Sequence, residues 1–251
     1  MLRLRHITFA CDDPARVAEF WCAVLGYERE QRGASFAGVD PRGEGPELFF
    51  NRMVKSRTIE LPIHLDVNVP DRKAEVGRLL ELGAKLVETK TTEAGELIET
   101  WTVMRDPEGT GFCVQGPDVR KPHPYIRNVT FACAEPRVVV GPFWSAALDW
   151  PEQEIPADFV QMLANAGVDV EREFYAYYAI AARDSPLRLL FQRREKSRAD
   201  SYPIHLDLVA DDRQAEIDRL VHAGATLEST KSDERSWTVM RDPEGNPFCV
   251  E

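Results

Sequence analysis

The segment Trp101–Val114, WTVMRDPEGTGFCV, returns as Trp237–Val250, WTVMRDPEGNPFCV. The two copies differ only at Thr110/Asn246 and Gly111/Pro247. Each reads as strand, turn, strand. Asp106-Pro107-Glu108-Gly109 and Asp242-Pro243-Glu244-Gly245 place Asp at i, Pro at i+1 and Gly at i+3, the residue choice of a type I turn. So close a repeat inside one chain means duplication, and the remaining sequence must be read in pairs.

The pairs follow in order. Thr8-Phe9-Ala10-Cys11 matches Thr130-Phe131-Ala132-Cys133, and Phe20-Trp21 matches Phe143-Trp144. Phe49-Phe50-Asn51-Arg52 matches Leu190-Phe191-Gln192-Arg193. Pro62-Ile63-His64-Leu65-Asp66 matches Pro203-Ile204-His205-Leu206-Asp207. The spacing between equivalents widens and then narrows. This places an insertion at about 155–174, with a short helix expected over Ala157–Gly167 carrying Phe159, Val160 and Leu163. A tighter loop is expected at Ser232–Ser236.

Local periodicity supplies the elements. Leu4, His6, Thr8 and Ala10 alternate with Arg5, Ile7, Phe9 and Cys11, as a strand requires. The Ile7/Phe9 face suits a helix, so His6 and Thr8 look away from it. Asp13-Pro14 is a helix start with Asp as N-cap and Pro at N1. Val17, Phe20, Trp21, Val24 and Leu25 form one apolar stripe, and Gly26 closes it. Strands are expected at Tyr27–Gln31, Ser35–Val39 and Glu47–Arg52. A second β-α-β-β-β run follows: Pro62–Val69, a helix after Asp71 with Val76, Leu79 and Leu80, then Lys85–Lys90, Leu97–Arg105 and Gly111–Gln115. Gly116–Pro124 is Pro-rich. Pro142 is expected to interrupt the second half's first helix. The arginine-rich runs Arg52–Arg57 and Arg193–Arg198 fall on hairpin loops and are expected to face solvent.

The 251 residues suit roughly two domains. A net charge of −11 argues against nucleic acid or an anionic membrane as partner. No apolar run approaches a membrane span, and MLRLRHITFA alternates like a strand rather than a signal peptide, so a cytoplasmic address is expected. Five cysteines, an odd number lying in strands and a helix, read as reduced thiols used as small hydrophobes.

The ordered set of an Asp-Pro helix ending Leu-Gly-Tyr, PIHLDV with PIHLDL, and the DPEG turn resembles the vicinal-oxygen-chelate superfamily over nearly the whole chain. That superfamily holds glyoxalase I, bleomycin-resistance proteins, extradiol dioxygenases and fosfomycin-resistance enzymes. The resemblance implies an α+β fold of two tandem domains, 1–118 and 125–251 with a 119–124 linker. Each would be built from two β-α-β-β-β units whose sheet forms a cup. It also implies a divalent metal held by His on the first strand, Glu on the fourth, His on the fifth and Glu on the last. His6 matches the first position, with Asn128 as its repeat. The fourth-strand Glu falls near Asn51 and Gln192, the fifth-strand His on His64 and His205, the last-strand Glu on Cys113 and Cys249. Both matched carboxylates are absent, so no metal ligand set is assigned, and Cys as thiolate is the remaining soft donor.

Glu251 shares a face with Cys249, and Asp66 and Asp207 share one with His64 and His205, about 6.5–7 Å along each strand. If the halves exchange units, one cup gathers His6, His205, Cys249 and Glu251. If each half closes on itself, a cup gathers His6, His64 and Cys113. Both arrangements stay open. The aspartates read either as acid or base groups or as paired rim carboxylates, and Cys113 and Cys249 as packed thiols. Trp101 and Trp237 read as sheet-packing or ligand-stacking groups, and Tyr175–Tyr178 as a strand lining the second cup. The expected function is a glyoxalase-like protein binding a small organic molecule in a cup without the full metal site. A divalent-metal-dependent lyase or isomerase is the alternative, and whether the chain is an enzyme stays open. His6, unmatched in the second half, marks the expected working cup. The expected state is monomer or homodimer.

Overall fold

A computed structural model of the chain describes residues 2–53, 62–94, 97–155, 157–183, 185–194, 203–231 and 237–251. The first unit is β1 (Leu2–Cys11), α1 (Pro14–Leu25), β2 (Glu28–Arg32), β3 (Ser35–Val39) and β4 (Glu47–Arg52). The second is β5 (Ile63–Asn68), α2 (Arg72–Glu81), β6 (Lys85–Ala94), β7 (Leu97–Arg105) and β8 (Gly111–Gln115). The third is β9 (Tyr125–Cys133), a π turn (Pro136–Val140), α3 (Gly141–Leu148), α4 (Ala157–Asn165), α5 (Val170–Ala176), β10 (Tyr177–Ala181) and β11 (Arg188–Arg193). The fourth is β12 (Ile204–Ala210), α6 (Arg213–His222), β13 (Thr226–Lys231), β14 (Trp237–Arg241) and β15 (Pro247–Val250).

The strands pair across the halves. One sheet runs β13-β14-β15-β12-β1-β4-β3-β2 and joins the first unit to the fourth. The other runs β10-β11-β9-β5-β8-β7-β6 and joins the second to the third. Their seams are the antiparallel pairs β1·β12 and β5·β9. Of the two arrangements open to sequence reading, the exchanged one is realised.

Within each half, the repeated motifs hold the units together. Trp21 of α1 lies 5.3 Å from Phe9 of one sheet and 5.1 Å from Phe112 of the other, measured between rings. Trp144 of α3 likewise stands 5.9 Å from Phe131 and 5.1 Å from Phe248. Each helix is thus wedged between the two sheets, and one continuous apolar cluster fills the space. The DPEG turns close the wedge. Asp106 accepts the backbone N–H groups of Glu108 and Thr110, which sets the turn, and also the Trp21 indole N–H at 3.4 Å. Asp242 does the same for Trp144 at 3.0 Å. Glu108 accepts from the backbone of Asp12 and Asp13, and Glu244 from that of Ala134 and Glu135. These carboxylates therefore sit at the positive ends of α1 and of the π turn ahead of α3. Arg78 of α2 and Arg219 of α6 donate to the last carbonyls of α1 and α3.

α1 forms as its sequence dictates: Asp13 caps it, Pro14 opens it, and Gly26 ends it at φ 67°. The insertion helix appears as α4, and a further helix, α5, follows. Together they are inserted ahead of β10, and among the described residues the β2 pairing is reduced to the isolated bridge Glu152↔Ile180. Tyr175 accordingly lies in α5, a correction to its expected strand, because Asp169 caps a new helical turn through the Arg172 N–H. Pro142 does not break a helix. A π turn absorbs the extra residue ahead of it, and Pro142 sits in the first turn of α3. Gly141 is needed there, since a Cβ would lie 2.2 Å from the Tyr178 ring.

Two side chains sit where alternation alone misplaces them. A bulge between Leu4 and His6 shifts the parity of β1, so Leu4 packs on the core rather than beside His6. Leu80 is 45 % exposed while its neighbour Leu79 is fully buried, so the α2 stripe is narrower than expected. The Ser232–Ser236 loop and most of the two arginine-rich runs lie outside the described residues.

Candidate functional site

Strand register lines up one row of side chains across each sheet, on the face opposite the helices. In the first sheet the row reads Glu47, His6, Asp207, Cys249, Val239, Ser229. In the second it reads Arg188, Asn128, Asp66, Cys113, Val103, Glu88. The next row adds Thr8 and His205 to the first cup, Thr130 and His64 to the second. All three imidazoles therefore face away from the helix core, and all three are buried.

In the first cup Asp207 is the hub. It accepts from the Thr8 hydroxyl at 2.7 Å and stands 2.8 Å from His6 Nε2 and 3.2 Å from His205 Nε2. Burial alone would raise its pKa; the charge and hydrogen bonding of His205, then the bond from His6, outweigh this and hold it well below the usual carboxylate range. His6 also lies 4.9 Å from the Phe49 ring, and its Nδ1 is 3.5 Å from Glu47. Glu47 is held by Arg32 through two contacts of 2.8 and 3.0 Å, and Glu251 pairs with Arg5.

In the second cup Asp66 is the hub. It accepts from Asn128 Nδ2 and Thr130 Oγ1, each at 2.7 Å, and stands 3.4 Å from His64 Nε2. Burial again opposes ionisation; His64 and these hydrogen bonds prevail and lower the pKa. Asn128 Oδ1 accepts from Arg188 Nε at 2.8 Å. Burial and then the nearby Arg127 push the Arg188 guanidinium down to about 10, which leaves it a cation at neutral pH.

By register, His6, His205, Asp207 and Cys249 lie on the open face of the first sheet, and His64, Asp66, Cys113, Asn128 and Gln192 on that of the second. Gln192 is four residues along β11 from Arg188, bonded to Tyr177 and Arg194 rather than to the Asp66 hub. Both cup thiols are pushed up, first by burial and then by the adjacent aspartate, so they are not thiolates. Trp101 shares a row with Gln115 and Lys90 on the same face of the second sheet.

Sequence reasoning missed Glu47 and Arg188, having placed the fourth-strand position near Asn51 and Gln192. The parity of Glu47, Phe49 and Asn51 carried the signal; the register against β1 did not show in the sequence. A cavity of about 420 Å³, lined by Leu4, Arg5, Gly45, Lys121, Trp150 and Pro186 among others, lies between the halves and outside both rows.

The first cup fits a divalent cation in donor chemistry. His6 Nδ1 is buried without a hydrogen-bond partner, and donor atoms of His6, Asp207 and Glu251 lie within 4.8 Å of one another. The second cup does not fit one. His64, Asp66 and Cys113 are as close together, but the cation Arg188 stands where Glu47 stands in the first cup, and neutral Asn128 replaces His6.

A pair of sheets built from exchanged β-α-β-β-β units, each with a polar row on its open face, defines the vicinal-oxygen-chelate class. The chain belongs to the glyoxalase-like domain family, whose model matches residues 6–115 and 128–251. Glyoxalase I from Zea mays has the same fold, with a TM-score of 0.67 at 12 % identity, over 100 % of this chain and 92 % of that one. A putative dioxygenase from Bacillus subtilis subsp. subtilis str. 168 aligns with a TM-score of 0.61 at 12 % identity, over 98 % and 84 %. No curated protein matches the chain. No described helix is long and apolar enough to cross a membrane.

Proposed function

We propose that the first cup binds a small oxygen-bearing organic molecule using its own side chains, with His6 Nδ1 as the polar contact. One observation carries this reading: the carboxylates are already balanced inside the protein. Arg32 holds Glu47, Arg5 holds Glu251, and Asp207 is closed by His6, His205 and Thr8. The cluster therefore needs no further cation to be stable, while His6 Nδ1 stays buried without a hydrogen bond and suits a polar group of a ligand.

The closeness of His6, Asp207 and Glu251 favours a second reading, a metal-dependent lyase or isomerase. These three would hold the ion, which when bound supplies Lewis-acid polarisation of vicinal substrate oxygens. Glu47, outside that set and facing His6, is the carboxylate placed to exchange a proton.

Metal analysis and native mass spectrometry of the full chain, purified without chelator, separate the two. Metal-free protein carrying an organic molecule that a His6→Ala variant loses is the expected result. One Zn²⁺, Ni²⁺, Mn²⁺ or Fe²⁺ per chain, lost in that same variant, overturns the metal-free reading.

A further inference from the structure

The second cup differs from the first in sign. Three equivalent positions change: Glu47 becomes Arg188, His6 becomes Asn128, and Glu251 becomes Gln115. The two hub aspartates and their histidines are kept. The charges around the equivalent thiols show the consequence. Beyond the hub aspartate that acts on each, Cys249 lies in the field of Glu251 and Glu228, and Cys113 in that of Arg194. Lys90, in one row with Trp101 and Gln115, is balanced by Glu88 at 2.9 Å and adds no net charge.

Arg188 is not absorbed by an internal ion pair. Among the described residues its one hydrogen bond runs from Nε to the neutral Asn128 amide, and no carboxylate lies within ion-pair distance. Its Nη groups are left to donate elsewhere, in the fork geometry that suits a carboxylate or phosphoryl group. Arg188 is part-buried, so its guanidinium is only partly hydrated and an incoming anion meets less competition from water than at an open surface. A second polar group is also unfinished: His64 Nδ1 is buried and has no partner.

We propose that the second cup is an oxyanion site, which takes the carboxylate or phosphoryl group of a small organic acid on Arg188, with Arg127 and Arg194 supplying the surrounding positive field. Asp66 holds Asn128 and Thr130 in place, and Asn128 in turn orients the guanidinium. One chain then carries two cups for different chemistry. This goes beyond the reading of the first cup and stands or falls apart from it.

The test is isothermal titration of the full chain with two probes, inorganic phosphate and malonate, at fixed ionic strength. Saturable binding of at least one is expected. The probe that binds more tightly tells phosphoryl from carboxylate preference. Arg188→Gln is expected to weaken that binding roughly ten- to a hundredfold, the loss of a charge-assisted bond, while Arg188→Lys retains part of it. Gln192→Glu, at the half-exposed rim, places a negative charge near the site and is expected to weaken binding without touching the core, which keeps the test valid should Arg188→Gln fail to fold. Glu47→Gln, in the other cup, is expected to leave it unchanged. No saturable binding by either probe, or equal binding in a folded Arg188→Gln variant, overturns the proposal; so does equal binding in Gln192→Glu where Arg188→Gln does not fold.

Discussion

The two cups share a hub and differ in what surrounds it. In each, a buried aspartate is closed by a threonine hydroxyl at 2.7 Å and a histidine. In the first cup a second histidine and two glutamates complete the row; in the second, an asparagine, a glutamine and an arginine do. Duplication preserved the groups that hold the seam strands together and released the flanking ones. The hub therefore reads as architecture, and the flanks as the part that chooses a ligand.

That contrast can be broken at the hubs first. Removing one partner of a buried charge network costs about 3–5 kcal/mol. Asp66→Ala is expected to lose the more, because Arg188 loses the charge of Asp66 and has no carboxylate of its own, whereas Asp207→Ala leaves Glu47 beside His6. A larger loss for Asp207→Ala, measured by urea unfolding, would undo the electrostatic distinction. The pH dependence has a fixed sign. Both carboxyls titrate lower folded than unfolded, so their stabilisation is full above the unfolded value of about 4 and fades as pH falls through the folded values. The gap between wild type and Asp207→Asn should therefore shrink on acidification below about pH 4.

The next test asks whether the difference is confined to the cups. Glu108 and Glu244 make equivalent latches to the starts of α1 and the π turn ahead of α3. Glu108→Ala and Glu244→Ala should each cost about 1–2 kcal/mol, the scale of a lost helix cap, and by equal amounts. Unequal losses in thermal unfolding would mean the halves differ beyond their ligand faces.

The smallest effect is expected at Arg32. Arg32→Gln removes a part-exposed ion pair and should cost less than about 1 kcal/mol. It leaves Glu47 unbalanced beside His6, so a detectable gain in Mn²⁺ binding by thermal shift is expected relative to wild type. Unchanged Mn²⁺ response would show that the arginine does not govern the cup's charge.

Much of this molecule was legible in its residues. The Asp13-Pro14 start, the Val17–Leu25 stripe and Gly26 specify α1 locally, and strand alternation put His6, His64 and His205 on the face away from the helices. The paired Phe-Trp and DPEG motifs announced the duplication, though not that each indole would donate to the aspartate of its own half's turn. Glu47 escaped notice because its importance lies in being level with His6 across a parallel pair, a relation between segments that no single segment records. Leu4 was misplaced because one bulged residue reverses alternation, and a bulge answers to the partner strand.

By itself, then, the sequence determined the elements, their order, their doubling and the chemistry available, since helix caps, periodicity and turn residues act over a few neighbours. Only the tertiary structure decided that the first unit pairs with the fourth and the second with the third, and hence that the acidic and basic sets fall in separate cups. Strand pairing between distant segments is chosen by the shared core around Trp21 and Trp144, through burial of both sheets against the same helices, and that choice has no local signature.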